Sequence, residues 1–162
     1  IARIQGNAFG GGVGLIAACD IAFGVHSALF SLSEVKLGII PSAISPYVVN
    51  AIGARQASRY FLTAERFTAS EAYRIGLLHD LSTVVEGVDE LIAQSLASLL
   101  GNGPQAMSEA KVLIRAVTNK GVTEAVVNDT VDRISRVRAG AEAKEGMSAF
   151  LEKRRPSWAS RV

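Results

Sequence analysis

Only one cysteine, Cys19, stands in the 162 residues, so an internal disulfide is excluded and a reducing, cytoplasmic setting is the expectation. Histidine is nearly as scarce. His26 and His79 are the two in the chain, neither has a second ligand at metal spacing, and both read as structural, with no metal site expected. Aromatic residues make up 6% of the chain and the formal charge is only +2, which argues against both a base-stacking platform and a strongly basic nucleic-acid domain. Apolar runs are short as well. The longest are interrupted by Asp20, Lys36 or Arg55 before reaching the roughly 18 residues that span a bilayer, so no membrane partner is expected. There is no GxSxG elbow, and Cys19 lies in an apolar stretch read as helix with no base nearby, so covalent nucleophilic catalysis is unsupported.

What is present is an ordinary globular composition, 49% hydrophobic and 20% charged, in a length suited to one domain with a real core. The charge is uneven: from Arg133 onward eight basic residues (Arg133, Arg136, Arg138, Lys144, Lys153, Arg154, Arg155, Arg161) face three acidic ones. Up to about Thr83, short apolar segments separated by glycine (IARIQ, GLIAACD, IAFGV, ALFSL) suggest small α/β units. After Pro41 helical spacing takes over, with Gly53 as a stop between two helical stretches. Thr68 and Glu71 form a capping box opening SEAYRIG, and Gly76 ends it before LLHDLST. Residues 84–162 read as helical, with a turn at Gly101-Asn102-Gly103-Pro104. The expected division is therefore 1–83, a core with active-site loops, and 84–162, a helical region.

Two local patterns suggest chemistry. Gly10-Gly11-Gly12-Val13-Gly14 follows a strand and opens a helix, where bare backbone N–H groups and the helix dipole can hold an anion. A Walker loop would need Lys-Ser/Thr where Val13 and Gly14 stand, and a dinucleotide fingerprint would need glycine in place of Leu15. An oxyanion hole fits, as does close helix–strand packing that tolerates no side chain. Glu34, between ALFSL and LGIIP, is the second pattern: a carboxylate so flanked is expected to be partly desolvated and suited to proton transfer, although a solvated turn or an ion pair with Lys36 fits the same spacing.

The runs IQGNAFGGGVGLIAACDIAFG, ALFSLSEVKLGIIP, TAERFTASEAYRIGLLHDL and EGMSAFLEKRRPSW resemble, in order and spacing, successive blocks of the enoyl-CoA hydratase/isomerase (crotonase) superfamily. The resemblance implies an α/β ββα-spiral core fragment, followed by a helical C-terminal region that builds trimers or dimers of trimers. It implies an acyl-CoA thioester substrate, with no cofactor apart from the CoA that belongs to the substrate. The Gly11 N–H would hold the thioester oxygen and Glu34 would move the proton at Cα. Gly10, Gly14, Pro41 and Tyr47 would line the substrate, and Phe150 and Lys153 would reach a neighbouring subunit's CoA adenine and phosphates. The first of the family's two glutamates falls at Gly14, so hydration by a glutamate pair is in question. A one-glutamate isomerase is the alternative, and a silent or RNA-binding member is the alternative of another class. Restoring the carboxylate with Gly14→Glu is expected to return a water-orienting group if the pocket is otherwise intact.

The family's GAGG turn reads Ser42-Ala43-Ile44-Ser45 here, and GGGVG with ISPY is closest in pattern to bacterial 3-methylglutaconyl-CoA hydratases of leucine breakdown. Because Ile1 is not methionine and IARIQG reads as a strand already under way, the chain is expected to be the later part of a longer protein. IARIQ and IAFGV are then expected to present open sheet edges.

Overall fold

The structure, a computed structural model, describes residues 1–159 and divides into two compact units, Ile1–Gln94 and Ser95–Val162. The first opens with β1 (Ala2–Ile4), β2 (Ala8–Phe9), α1 (Gly11–Ala18), β3 (Ala22–Val25) and β4 (Leu29–Ser31). A short 3-10 helix (Glu34–Leu37), α2 (Ser45–Thr63), β5 (Phe67–Thr68), α3 (Ala69–Arg74), β6 (Asp80–Ser82) and the start of α4 (Val85–Leu100) follow. The boundary thus falls inside α4, later than the change of texture at 83/84, because Val88 and its neighbours Val85, Leu91 and Ile92 pack on the first unit's core.

The strands alternate between two sheets. One is parallel in the order β1-β3-β6, with Ala2 opposite Ala22 and Phe23 opposite Asp80; the other has the order β2-β4-β5, parallel then antiparallel. Two strands, one to each sheet, are followed by a helix, and then the pattern recurs. This is the α/β architecture expected, with one difference: β3, the IAFGV strand, is central and paired on both sides. It is not an open edge, because His79 turns LLHDLST back onto it, its backbone N–H donating to Ala22 O at 2.8 Å while its Nδ1 accepts from Ala22 N at 3.1 Å.

Apolar side chains from both sheets and from α1 and α2 meet in one core. Phe30 and Phe67 stack at 5.6 Å between centroids, and Tyr60 leans on Phe67 at 4.3 Å. Gly53 breaks the helical geometry within α2 at φ 76°, as its position between two helical stretches suggested. Thr68 caps α3 by accepting from the Glu71 N–H. Cys19 departs from expectation: it is the exposed C-cap of α1, where the backbone has already turned extended at φ −80° and ψ 148°.

The second unit contains the end of α4, then α5 (Pro104–Val117), α6 (Glu124–Ala139) and α7 (Ala141–Leu151). Glu142 caps α5 by accepting from the N–H groups of Gln105 and Ala106 at 2.9 and 2.7 Å. Much of the basic excess is neutralised locally, since Arg133 pairs with Asp129, Arg136 with Glu109, and Arg154 with Glu145 and Glu152. Arg161 lies outside the described residues.

One polar tie anchors the first unit's core. The buried Tyr60 donates its hydroxyl proton to Glu71 Oε1 at 2.6 Å, and Arg74 holds the same carboxylate through two bonds of 2.6 Å. Arg74 and then Tyr60 hold Glu71 down to about 2 from its ordinary 4.5, while burial and then Glu71 push Tyr60 up to about 12. A lowered carboxylate stabilises the fold above its unfolded value, and that stabilisation is lost as pH falls from 4.5 through about 2. Tyr60→Phe is expected to cost about 1–2 kcal/mol at neutral pH. Urea midpoints should show that deficit narrowing through the acid window as Glu71 becomes neutral.

Candidate active site

The site begins where β2 becomes α1. Gly10 takes φ 51° and ψ −119°, a backbone conformation that side chains rarely permit. Its N–H donates to Ser31 O at 2.8 Å, prolonging the β2–β4 ladder, and its carbonyl accepts from the N–H groups of Val13 and Gly14 at 3.0 and 3.3 Å, starting the helix. The amides of Gly11 and Gly12 precede these bonds, among the first-turn donors that a helix cannot satisfy internally. Around Gly11 the space is open: it is exposed, and a Cβ built on it meets nothing within 4 Å. An anion or a carbonyl oxygen gaining charge can approach this backbone directly.

Glu34, the first residue of the 3-10 helix, faces the same turn. A Cβ on Gly10 would lie 3.2 Å from Glu34 Oε1, so the carboxylate rests against bare backbone. Its Oε2 is buried, and no protein donor among the described residues reaches it. A buried carboxylate oxygen without a partner is rare and costly, and its place beside the glycine turn suits a group that takes up or gives a proton. The alternative of an ion pair with Lys36 is not what holds this oxygen, which has no partner among the described residues.

Gly14 is buried one turn further along α1, and its place is the least expected feature of the site. A Cβ built there would lie 2.1 Å from Ile44 Cγ2 and 2.5 Å from Ile44 Cβ. Ile44 thus occupies the room that any side chain at position 14 would need. Its β-branched carbon is stiff and sits at the start of α2, so it cannot swing aside cheaply. The expectation that Gly14→Glu alone would return a water-orienting carboxylate is corrected by this overlap.

The other expected residues are arranged as follows. Pro41 is buried in the turn after the 3-10 helix, where its carbonyl accepts from Ser45 N at 3.0 Å, and the same turn is tied to Glu34 by the Ile39 N–H donating to Glu34 O at 3.3 Å. Tyr47 is exposed on the first turn of α2, with no bond to Glu34 or to the glycines. Phe150 and Lys153 belong to the second unit. Phe150 is 82% exposed at the end of α7, and Lys153 adopts φ 56° in the turn beyond it. Arg154, the next residue, fixes that turn by binding both oxygens of Glu145 at 2.7 and 2.9 Å. Ile44 stands out in sequence only as part of the altered turn, not as a neighbour of Gly14. The departures at position 14 and in the turn after Pro41 were both visible, but nothing in sequence joins a missing side chain to an added one thirty residues away.

The family model described as enoyl-CoA hydratase/isomerase matches residues 1–161. An enoyl-CoA hydratase of Alternaria alternata is 35% identical over 93% of this chain and 50% of its own length. A carnitinyl-CoA dehydratase of Proteus mirabilis is 32% identical over 99% of this chain and 63% of its own. Among solved structures, an enoyl-CoA hydratase from Shewanella pealeana superposes with a TM-score of 0.90 at 44% identity, over 94% of this chain and 57% of that one. A putative enoyl-CoA hydratase/isomerase (crotonase) from Legionella pneumophila gives 0.88 at 44%, over 97% and 60%. The chain spans between half and two thirds of the length of these relatives.

The Gly14–Ile44 contact makes a thermodynamic prediction. Gly14→Ala should destabilise the protein by about 1–3 kcal/mol through overpacking. In an Ile44→Ala background most of that cost should vanish, leaving a coupling energy of about 1 kcal/mol or more in a double-mutant cycle of urea unfolding. Additive losses would separate the two residues.

Proposed function

The chain belongs to the enoyl-CoA hydratase/isomerase family, and from that premise we propose that it serves the addition of water across the α,β double bond of an enoyl-CoA thioester, with Glu34 moving the proton at Cα. The observation behind this reading is the unpartnered Oε2 of Glu34 beside the glycine turn. The thioester oxygen is placed at the Gly11 N–H, where the first turn of α1 offers unused donors and positive potential. Water's oxygen bonds to Cβ, the π pair moves onto the thioester oxygen, and the enolate collapses as Cα takes a proton from Glu34. The proton released by water restores Glu34, so one carboxylate can close the cycle.

A second reading has its own support. With Ile44 filling the space beside Gly14, no second carboxylate fits there, and Glu34 alone can remove a proton from one carbon and return it to another, shifting the double bond without adding water. Product analysis separates the two, since hydration yields a 3-hydroxyacyl thioester and isomerisation a 3-enoyl one. A 3-methylglutaconyl acyl group is the substrate suggested by GGGVG and ISPY.

The second unit is assigned to assembly and to the CoA end of the substrate. Neither α5 nor α6 has a fully buried residue, and Ile114, Val131 and Ile134 are exposed on them, an arrangement suited to burial against further copies in a trimer or a dimer of trimers. Phe150 offers a flat ring for adenine and Lys153 a point charge for phosphate. No helix among the described residues is long and apolar enough to cross a membrane, and the cytoplasm is the proposed location.

The decisive variant is Glu34→Gln in the complete protein. Turnover of enoyl-CoA thioesters should fall by on the order of a hundredfold or more, with thioester affinity retained, as expected for a general acid–base group. Undiminished turnover would remove Glu34 from the mechanism.

A further inference from the structure

We propose that Ile44 is the specificity-determining wall of the acyl subsite, fixing its size and making it apolar at the point next to the Glu34 carboxylate, an inference that rests on the acyl-CoA reading above. It follows from what stands against two glycines. Gly14 N–H donates to the carbonyl of Gly10, the N-cap, at 3.3 Å, so the two residues are one helical turn, about 5 Å, apart at the start of α1. Glu34 Oε1 faces the first and Ile44 Cγ2 faces the second. The carboxylate and the isoleucine therefore flank one strip of backbone bare of side chains, and a substrate carbon placed at Glu34 has Ile44 as its neighbour one turn along.

Three features make Ile44 suited to discriminate rather than merely to fill space. It is only half-buried rather than sealed in the core. Its backbone is fixed: its carbonyl accepts from the N–H groups of Tyr47 and Val48 at 3.1 and 3.0 Å, anchoring it at the start of α2. Its β-branched side chain packs against the core from that anchor, so the wall has little freedom to yield. An isoleucine offers no hydrogen bond. The subsite it bounds accepts a small apolar substituent of the acyl group and excludes a bulky one at that point.

The test uses the complete protein with Ile44→Ala and Ile44→Val. For wild type and both variants, kcat/KM is measured for crotonyl-CoA, 3-methylcrotonyl-CoA, 2-hexenoyl-CoA and 2-octenoyl-CoA. Removing the branched end should shift preference toward the larger thioesters relative to crotonyl-CoA by about tenfold or more in Ile44→Ala, with a smaller shift of the same sign in Ile44→Val. Ratios that stay within about twofold of wild type in either folded variant, or a uniform fall across the series, would overturn the inference, since a wall must discriminate by size. Ile44→Val removes a single methylene, so it decides the matter even where Ile44→Ala fails to fold. A wild-type protein that turns over none of the four thioesters nor 3-methylglutaconyl-CoA, and exchanges no Cα proton of butyryl-CoA with deuterated water, would bring down the acyl-CoA reading and this inference together. An active wild type with unmoved ratios would bring down this inference alone.

Discussion

The site is built outward from the backbone of Gly10. At that residue the chain must leave β2, keep one ladder bond to Ser31, and offer its carbonyl to the first turn of α1, and it does all three at φ 51°. Any side chain there would be strained by the dihedral and would press on the Glu34 carboxylate at 3.2 Å. The same absence of side chains that permits the turn thus admits the carboxylate. It also leaves open space around Gly11, so the local constraint that shapes the fold also shapes what can approach the turn.

A carboxylate held without a hydrogen-bond partner needs rigid surroundings, because relaxation toward any donor would relieve it. Glu34 is fixed from two sides. Its 3-10 helix follows β4, whose Phe30 is locked in the aromatic stack with Phe67 and Tyr60, and its carbonyl accepts from Ile39 at the head of the turn leading to α2. Tyr60 is tied in turn to Glu71, whose carboxylate Arg74 holds at the end of α3. The apolar stack and its polar anchor therefore act at a distance on the site, by denying the segment before Glu34 an alternative path.

How much of this was legible in sequence depends on how local each cause was. The capping of α3 by Thr68, the break at Gly53 and the strand-to-helix turn at Gly10 each follow from one or two residues whose backbone preferences are strong, and each was readable. The strands β2 and β5 have two residues apiece, too few for any periodicity, and only their partner β4 defines them. Pairing on both sides of β3 likewise depends on β6, which returns from far along the chain. Glu34 stood out by its apolar flanks, but the orphaned state of its Oε2 depends on what fails to reach it, which no linear pattern records.

Gly14 and Ile44 show the same limit in reverse and have the larger consequence for chemistry. Taken alone, a glycine at position 14 suggests an emptied pocket, into which a carboxylate could be restored. Taken with Ile44, it is one half of a filled one, since the side chain absent from α1 has been replaced in space by a side chain from the start of α2. The space beside position 14 is thus filled by hydrocarbon. Dispersion contacts and the stiffness of a β-branched residue then resist any reversal by a single substitution. Putting a side chain back at position 14 therefore requires positions 14 and 44 to change together, and it leaves Glu34 as the carboxylate that stands against the glycine turn.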